Sequence, residues 1–211
     1  MKEKTGVQNI VHFIKDIRQT GAVMPSSRYL ARDVVDLLRK QLHDEHRRPV
    51  RVLELGAGTG TFTSHIYNEL RRDDQLEVVE LNSKLFKILS QRFENISNVN
   101  LHHCDVLNYI DARPYDYIYS SIPYETIPER ITEQIWDKKL SLCRKGSIIT
   151  YYKYINFNRF RCKFEKRLVK EFAQNEKVIF LNVPPAKIFS LHISNPEKVI
   201  KERAQNSETT L

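Results

Sequence analysis

The stretch that decides the fold is Val50-Arg51-Val52-Leu53-Glu54-Leu55-Gly56-Ala57-Gly58-Thr59-Gly60-Thr61-Phe62-Thr63. Val50, Val52, Leu53 and Leu55 read as a short buried strand, rich in branched residues and closed by a turn. Gly56, Gly58 and Gly60 alternate along that turn, and an amphipathic stretch opens at Thr61. Strand, glycine-rich turn and helix make the ligand-binding unit of an α/β fold, in which absent Cβ atoms let a ligand approach the backbone. Three alternating glycines alone are a weak signal. Here the strand before them, the helix after them and Glu54 ahead of them supply the context. The third glycine comes one residue too early for the Gly-x-Gly-x-x-Gly of a dinucleotide oxidoreductase.

Working outward, Leu76, Val78, Val79 and Leu81 form a second apolar run carrying Glu80 near its end. An acidic residue at the tip of the second strand is where an α/β fold holds a ribose by its hydroxyls. A third strand, 99–104, leads into Asp105, and a fourth, 115–119, into Ser120-Ser121-Ile122-Pro123-Tyr124. Four strands that each deliver a polar group at the C-terminal tip describe one crevice. Helical stripes follow the strands: Phe62, Ile66 and Leu70; Leu85, Ile88, Leu89 and Phe93; Ile127, Ile131, Ile135, Leu140 and Leu142. Lys145-Gly146 turns into a fifth strand, 147–154, and strands at 178–181 and 188–193 pair antiparallel across Pro184-Pro185. The expected fold is therefore α/β and Rossmann-like: a mostly parallel seven-stranded sheet with an antiparallel edge strand and helices on both faces. A single domain is expected over 1–195, with N-terminal helices or a lid at 1–48, the sheet at 49–195 and a tail at 196–211 that loses its apolar pattern.

At these residues the chain resembles the class I S-adenosylmethionine-dependent methyltransferases. Glu54-Leu55-Gly56-Ala57-Gly58-Thr59-Gly60 is similar to the family's first motif, Glu80 to its ribose-binding acid and Cys104-Asp105-Val106 to its adenine-contacting step. The resemblance implies S-adenosylmethionine as cofactor, contacted by Glu54, Gly56, Ala57, Gly58, Gly60, Thr61, Glu80, Leu81, Asp105, Val106 and Ser120.

A narrower resemblance rests on Gly21-Ala22-Val23-Met24-Pro25-Ser26-Ser27-Arg28-Tyr29-Leu30-Ala31 and on Asn182-Val183-Pro184-Pro185-Ala186. Both are similar to stretches of the bacterial phospholipid N-methyltransferases, whose fourth-strand motif, Ser-Gly-Leu-Pro-Leu, is matched here by Ser120 to Tyr124. This implies methylation of a lipid amine such as that of phosphatidylethanolamine, with Tyr124, Ser120 and Ser121 around the acceptor. Ser26 or Ser27 caps the helix that starts at Arg28, and backbone N–H groups there suit the cofactor's carboxylate. Ser121 and Tyr124 depart from the lipid motif. Ile122-Pro123-Tyr124 also resembles the Asn-Leu-Pro-Tyr of rRNA adenine N6-dimethyltransferases, with Ser121 in place of the Asn whose amide pairs with a base amine. Those enzymes carry a helical RNA-binding domain after the sheet, which this sequence is not expected to hold.

Among 211 residues, 34 Lys plus Arg face 26 Asp plus Glu, for a net charge of +8. That balance favours anionic partners, an anionic membrane surface or nucleic acid. Val7, Ile10, Val11, Ile14 and Ile17 recur at helical spacing among lysines, as in a first packed helix or one lying on a membrane. Aromatic and basic residues interleave from Tyr151 to Lys170, which suits a nucleic-acid platform, a membrane-facing patch or a plain charged face. No apolar run reaches the roughly 20 residues of a membrane span, and no signal peptide is evident, so a cytoplasmic, peripherally membrane-associated protein is expected. Cys104, Cys143 and Cys162 have neither disulfide nor zinc spacing. The pairs His43 and His46, and His102 and His103, lack companion ligands, so no metal is expected.

Overall fold

A computed structural model describes residues 28–42, 47–155, 162–182 and 184–208. The apolar stripe at 7–17, the Gly21 to Ser27 stretch with Ser26 and Ser27, and residues 156–161 of the basic-aromatic segment lie outside the described residues.

The elements in chain order are α1 (Arg28–Gln41), β1 (Arg51–Leu55), α2 (Thr61–Tyr67), β2 (Gln75–Glu80), α3 (Ser83–Phe93), β3 (Val99–His103), β4 (Tyr115–Ser120), α4 (Glu129–Ser141), β5 (Cys143–Tyr154), α5 (Lys163–Phe172), β6 (Ala173–Ile179), β7 (Ala186–Ile193) and α6 (Pro196–Glu208). Short 3-10 turns sit at Val106–Asn108 and Tyr124–Thr126. The seven strands form one sheet in the order β3-β2-β1-β4-β5-β7-β6. β3, β2, β1, β4 and β5 pair in parallel, and β7 runs antiparallel to both of its neighbours. The expected fold class holds.

Burial explains why the central strands read as apolar runs rather than alternations. Val52 to Leu55 and Leu76 to Glu80 are buried on both faces, because helices cover the sheet on both sides. One core layer includes Leu30, Val34, Leu38, Phe62, Ile66 and Leu89; the other includes Trp136, Leu140, Leu168, Phe172 and Val199. The edge strand β6 is exposed over residues 174–178, where Glu176 and Lys177 blunt it against further pairing.

Three boundaries differ most from the sequence reading. β5 begins at Cys143, not at residue 147, because Lys145-Gly146 is a bulge inside the strand rather than a turn before it. Gly146 takes φ +87°, and Ser147 Oγ accepts from Arg144 N at 2.8 Å while donating to Tyr115 O at 2.6 Å. β6 begins at Ala173 directly after α5, because its first half is too polar for the apolar-run rule to find. Residues 196–208, expected as tail, instead form α6 against α4 and α5. Val199 is buried there, and Arg203 reaches Glu133 Oε2 at 3.0 Å with its guanidinium 4.4 Å from the centre of the Phe164 ring. One buried valine and one arginine anchor that helix without a regular apolar stripe.

Candidate functional site

The parallel register sets Leu55 beside Val79 and Ser120, and Glu80 beside His103. The strand tips therefore end level, and the loops after them close over one cavity. Gly56, Val79, Glu80, Leu81, Cys104, Asp105, Val106 and Leu107 line it from β1, β2 and β3. Ile122 and Pro123 close it from the loop after β4, and Ile131 and Ile135 from α4. Gly56, Glu80, Leu81, Asp105 and Val106 were expected at the cofactor. Ile131 and Ile135 were read only as a helix stripe, since periodicity reports a buried face without saying whether protein or ligand covers it.

The glycine loop is fixed by its own backbone and by Glu80. Gly56 N and Ala57 N donate to Val79 O at 2.9 and 3.3 Å. The Glu80 carboxylate, 1% exposed, accepts Gly58 N at 2.6 Å on one oxygen and Asn82 N at 2.7 Å on the other. Asn82 in turn caps α3 by accepting from Lys84 N and Leu85 N. One side chain thus couples the glycine loop, the tip of β2 and the start of α3. The Glu80 carboxylate stands at the cavity wall, where the hydroxyls of a ribose would meet it.

The glycines differ in role. Gly58 has φ +62° and nothing within 4 Å of a built Cβ, so the space beside it is open. Gly60 has φ +85°, and a Cβ there would lie 2.5 Å from Phe93 and 2.9 Å from Leu89, so it is needed for packing. Thr61 opens α2 just beyond, outside the cavity wall.

Glu54 is fully buried. Its Oε2 accepts from Thr63 Oγ1 at 2.6 Å, and its Oε1 has no partner. Burial raises its pKa to about 7, with the nearby Glu80 carboxylate adding to the rise. Thr63 was not foreseen; the spacing of nine residues from Glu54 could have flagged it only with the helix register in hand. Asp105 accepts Leu107 N at 2.9 Å and so shapes the 3-10 turn at the cavity wall.

The loop after β4 departs most from expectation. Ser121 N donates to Leu55 O at 2.9 Å, extending the β1–β4 ladder past Ser120. Tyr124, expected to line the acceptor site, is 2% exposed with its ring turned into the core. Its hydroxyl is 2.5 Å from Ser120 Oγ and accepts from Lys139 Nζ at 3.0 Å, and its ring stacks on Trp136 with centroids 5.9 Å apart. Ser120, also buried, serves that bond and does not line the cavity. Among the described residues one grouping of metal-type ligands occurs, Glu129, Glu133 and Cys162. Its carboxylates already accept Lys163 N and pair with Arg203.

These features fit S-adenosylmethionine: an apolar slot for the adenine, Glu80 for the ribose, an open Gly58 face and an unpartnered buried carboxylate oxygen at Glu54 beside the glycine loop. Comparison with known proteins agrees. The chain resembles the solved N-methyltransferase NodS of Bradyrhizobium japonicum in complex with S-adenosyl-L-homocysteine, with a TM-score of 0.60 over 79% of this chain and 88% of that one, at 13% identity. It is 40% identical over 79 residues to the ribosomal RNA small subunit methyltransferase A of Pseudomonas fluorescens, covering 35% of this chain and 28% of that protein. The chain spans only about a third of such relatives' length. It is also 27% identical over 130 residues to the ornithine lipid N-methyltransferase of Singulisphaera acidiphila, covering 59% of this chain and 65% of that protein. A family profile described as ribosomal RNA adenine dimethylase matches residues 37–176, from the first helix through the glycine loop and the Ser120 to Tyr124 loop into β6. The chain belongs to that family, within the S-adenosylmethionine-dependent methyltransferases.

Proposed function

We propose that the protein transfers a methyl group to the nitrogen of a primary amine, and that this amine is the exocyclic N6 of adenine in RNA. The observation that carries the reading is the family match, which runs through the acceptor loop as well as the cofactor half. The net charge of +8 is in keeping with a polyanionic partner. The bound cofactor supplies an electrophilic methyl on a sulfonium, and no covalent step falls to the protein. The chain's own residues fix the cofactor through Glu80 and the glycine loop, wall off water with Leu81, Val106, Ile131 and Ile135, and set the acceptor against the loop at Ile122-Pro123. The experiment is incubation with cofactor carrying a labelled methyl, offering rRNA and phospholipid vesicles in parallel. Label in N6-methyladenine is expected; label confined to extracted lipid would overturn the RNA assignment.

A second reading, methylation of a lipid amine at a membrane surface, is favoured by two specific observations. The ornithine lipid N-methyltransferase match extends over a larger share of both chains than the rRNA methyltransferase match quoted above. In the acceptor loop Ser121 offers no amide to a base, and the Tyr124 ring is closed beneath Trp136 instead of being free to stack. Peripheral membrane attachment belongs to this reading. Flotation with liposomes that persists at high salt, beyond what net charge alone gives, would support it.

A further inference from the structure

Helix α4 presents two faces to the reaction. Ile131 and Ile135 line the cofactor cavity, while Trp136 and Lys139 turn under the acceptor loop. Lys139 is fully buried, and among the described residues no carboxylate lies within ion-pair reach of its nitrogen. Nζ donates to the Tyr124 hydroxyl at 3.0 Å and stands 2.9 Å from the centre of the Trp136 ring. The groups around it come from every packed element: Tyr124 and Glu125 from the loop, Cys143, Tyr151 and Lys153 from β5, and Cys162 and Glu165 from the start of α5. Glu165, the carboxylate with the largest pull on Lys139, gives both oxygens to Lys153 at 3.0 and 2.9 Å. Burial holds the Lys139 pKa well below the ordinary lysine value, which favours the neutral amine.

We propose that Lys139 is a positioning residue for methyl transfer, fixing the acceptor loop through the Tyr124 hydroxyl. Tyr124 is bonded in turn to Ser120 Oγ, so the string Lys139–Tyr124–Ser120 ties the end of β4 to the loop's last residue. Between those two ends lie Ser121, anchored to Leu55 O, and Ile122 and Pro123 on the cavity wall. Clamping both ends sets where an acceptor nitrogen meets the methyl. Protonating Lys139 would place a charge in a fully buried site whose strongest counter-charge, Glu165, already holds Lys153, a desolvation cost that the facing Trp136 ring offsets only in part. The proposal rests on the amine-methylation reading and holds for either acceptor, since it concerns the loop that both would meet.

Trp136 is the chain's single tryptophan and lies against Lys139, so its emission reports on that amine with no substrate present. In the wild type, emission should change on acidification with a midpoint well below the pH at which free lysine titrates, and Lys139→Met should abolish the change. Labelled-methyl assays with rRNA and with phosphatidylethanolamine vesicles should show kcat lowered about tenfold or more in Lys139→Met, with cofactor affinity by calorimetry within twofold of wild type. At saturating cofactor, the acid limb of the wild-type kcat profile should weaken in that variant, leaving only the part that Glu54 contributes. Tyr124→Phe, which removes one hydroxyl and keeps the ring, should show the same fall in kcat, so the test survives if Lys139→Met folds poorly. Wild-type kcat in both variants, or an unaltered tryptophan titration in Lys139→Met, overturns the proposal. A tryptophan titration that behaves as expected, with no label in RNA or lipid from any form, would instead refute the amine-methylation reading.

Discussion

At the scale of single residues, Glu54 ties the site to pH. Its carboxyl is raised from 4.5 to about 7 by burial, so the folded chain holds a proton there that the unfolded chain has released. Stability therefore falls as pH rises from the unfolded value, and the loss is complete above about 7. Glu54→Gln should raise stability at pH 8 by up to about 3 kcal/mol, with little gain at pH 4, read by urea denaturation at each pH. Cofactor affinity should move the other way. S-adenosylmethionine is a cation at its sulfur, so the ionised carboxylate favours it and binding should tighten through pH 7. In Glu54→Gln that pH dependence should flatten. The two loop glycines make a second pair of outcomes. Gly60→Ala meets Phe93 at 2.5 Å in a left-handed backbone and should cost about 2–3 kcal/mol of stability. Gly58→Ala meets open space, so it should cost about 1–2 kcal/mol from its φ alone while cofactor affinity falls much further. Equal loss of affinity in both variants would refute the division of roles.

Elements explain what the sequence could and could not reveal. β1, the glycine loop and Glu80 were legible because their chemistry is local: a strand two faces deep, a turn needing positive φ, and an acid at a strand tip. The helix α1 was legible from its stripe of Leu30, Val34 and Leu38, while the expected serine cap at Ser26 or Ser27 lies outside the described residues. What was hidden depends on long-range packing. Tyr124 reads as a ring at an acceptor site, and only Lys139, 15 residues on, and Trp136 reveal that it is held inward. The same packing hid a buried ion pair between β5 and α5, Lys153 with Glu165, each 1% exposed; in sequence both look like part of a charged surface. Lys153→Met should strand the Glu165 charge and cost about 3–5 kcal/mol, whereas Lys153→Met with Glu165→Leu should recover most of that loss. Thermal melts of the two variants check it; equal destabilisation would mean that the pair is not coupled.

For the whole molecule, charge and acceptor chemistry together decide between the two anionic partners. The exocyclic amine of adenine is a neutral NH2 at neutral pH, with no added proton to lose before attack. A lipid alkylamine is an ammonium, with a pKa near that of lysine at ~10, and must shed a proton before its lone pair can attack. With RNA as acceptor, kcat/KM should level off once the buried Glu54 carboxyl, raised to about 7, has titrated. With a lipid amine it should climb close to tenfold per pH unit through pH 9. Salt supplies an independent axis. Each RNA phosphate contacted by the basic surface steepens log affinity against log salt by about 0.7, so several contacts should cut kcat/KM on RNA at least tenfold between 50 and 200 mM salt. A chain of net charge +8 would also leave anionic vesicles as salt rises, so salt alone does not discriminate. The pH profile does, because the proton in question sits on the acceptor and not on the protein. A plateau on the alkaline side of the Glu54 titration with RNA, and no label in lipid at any pH, is the expected result; a continuing rise with lipid vesicles would move the assignment to the membrane.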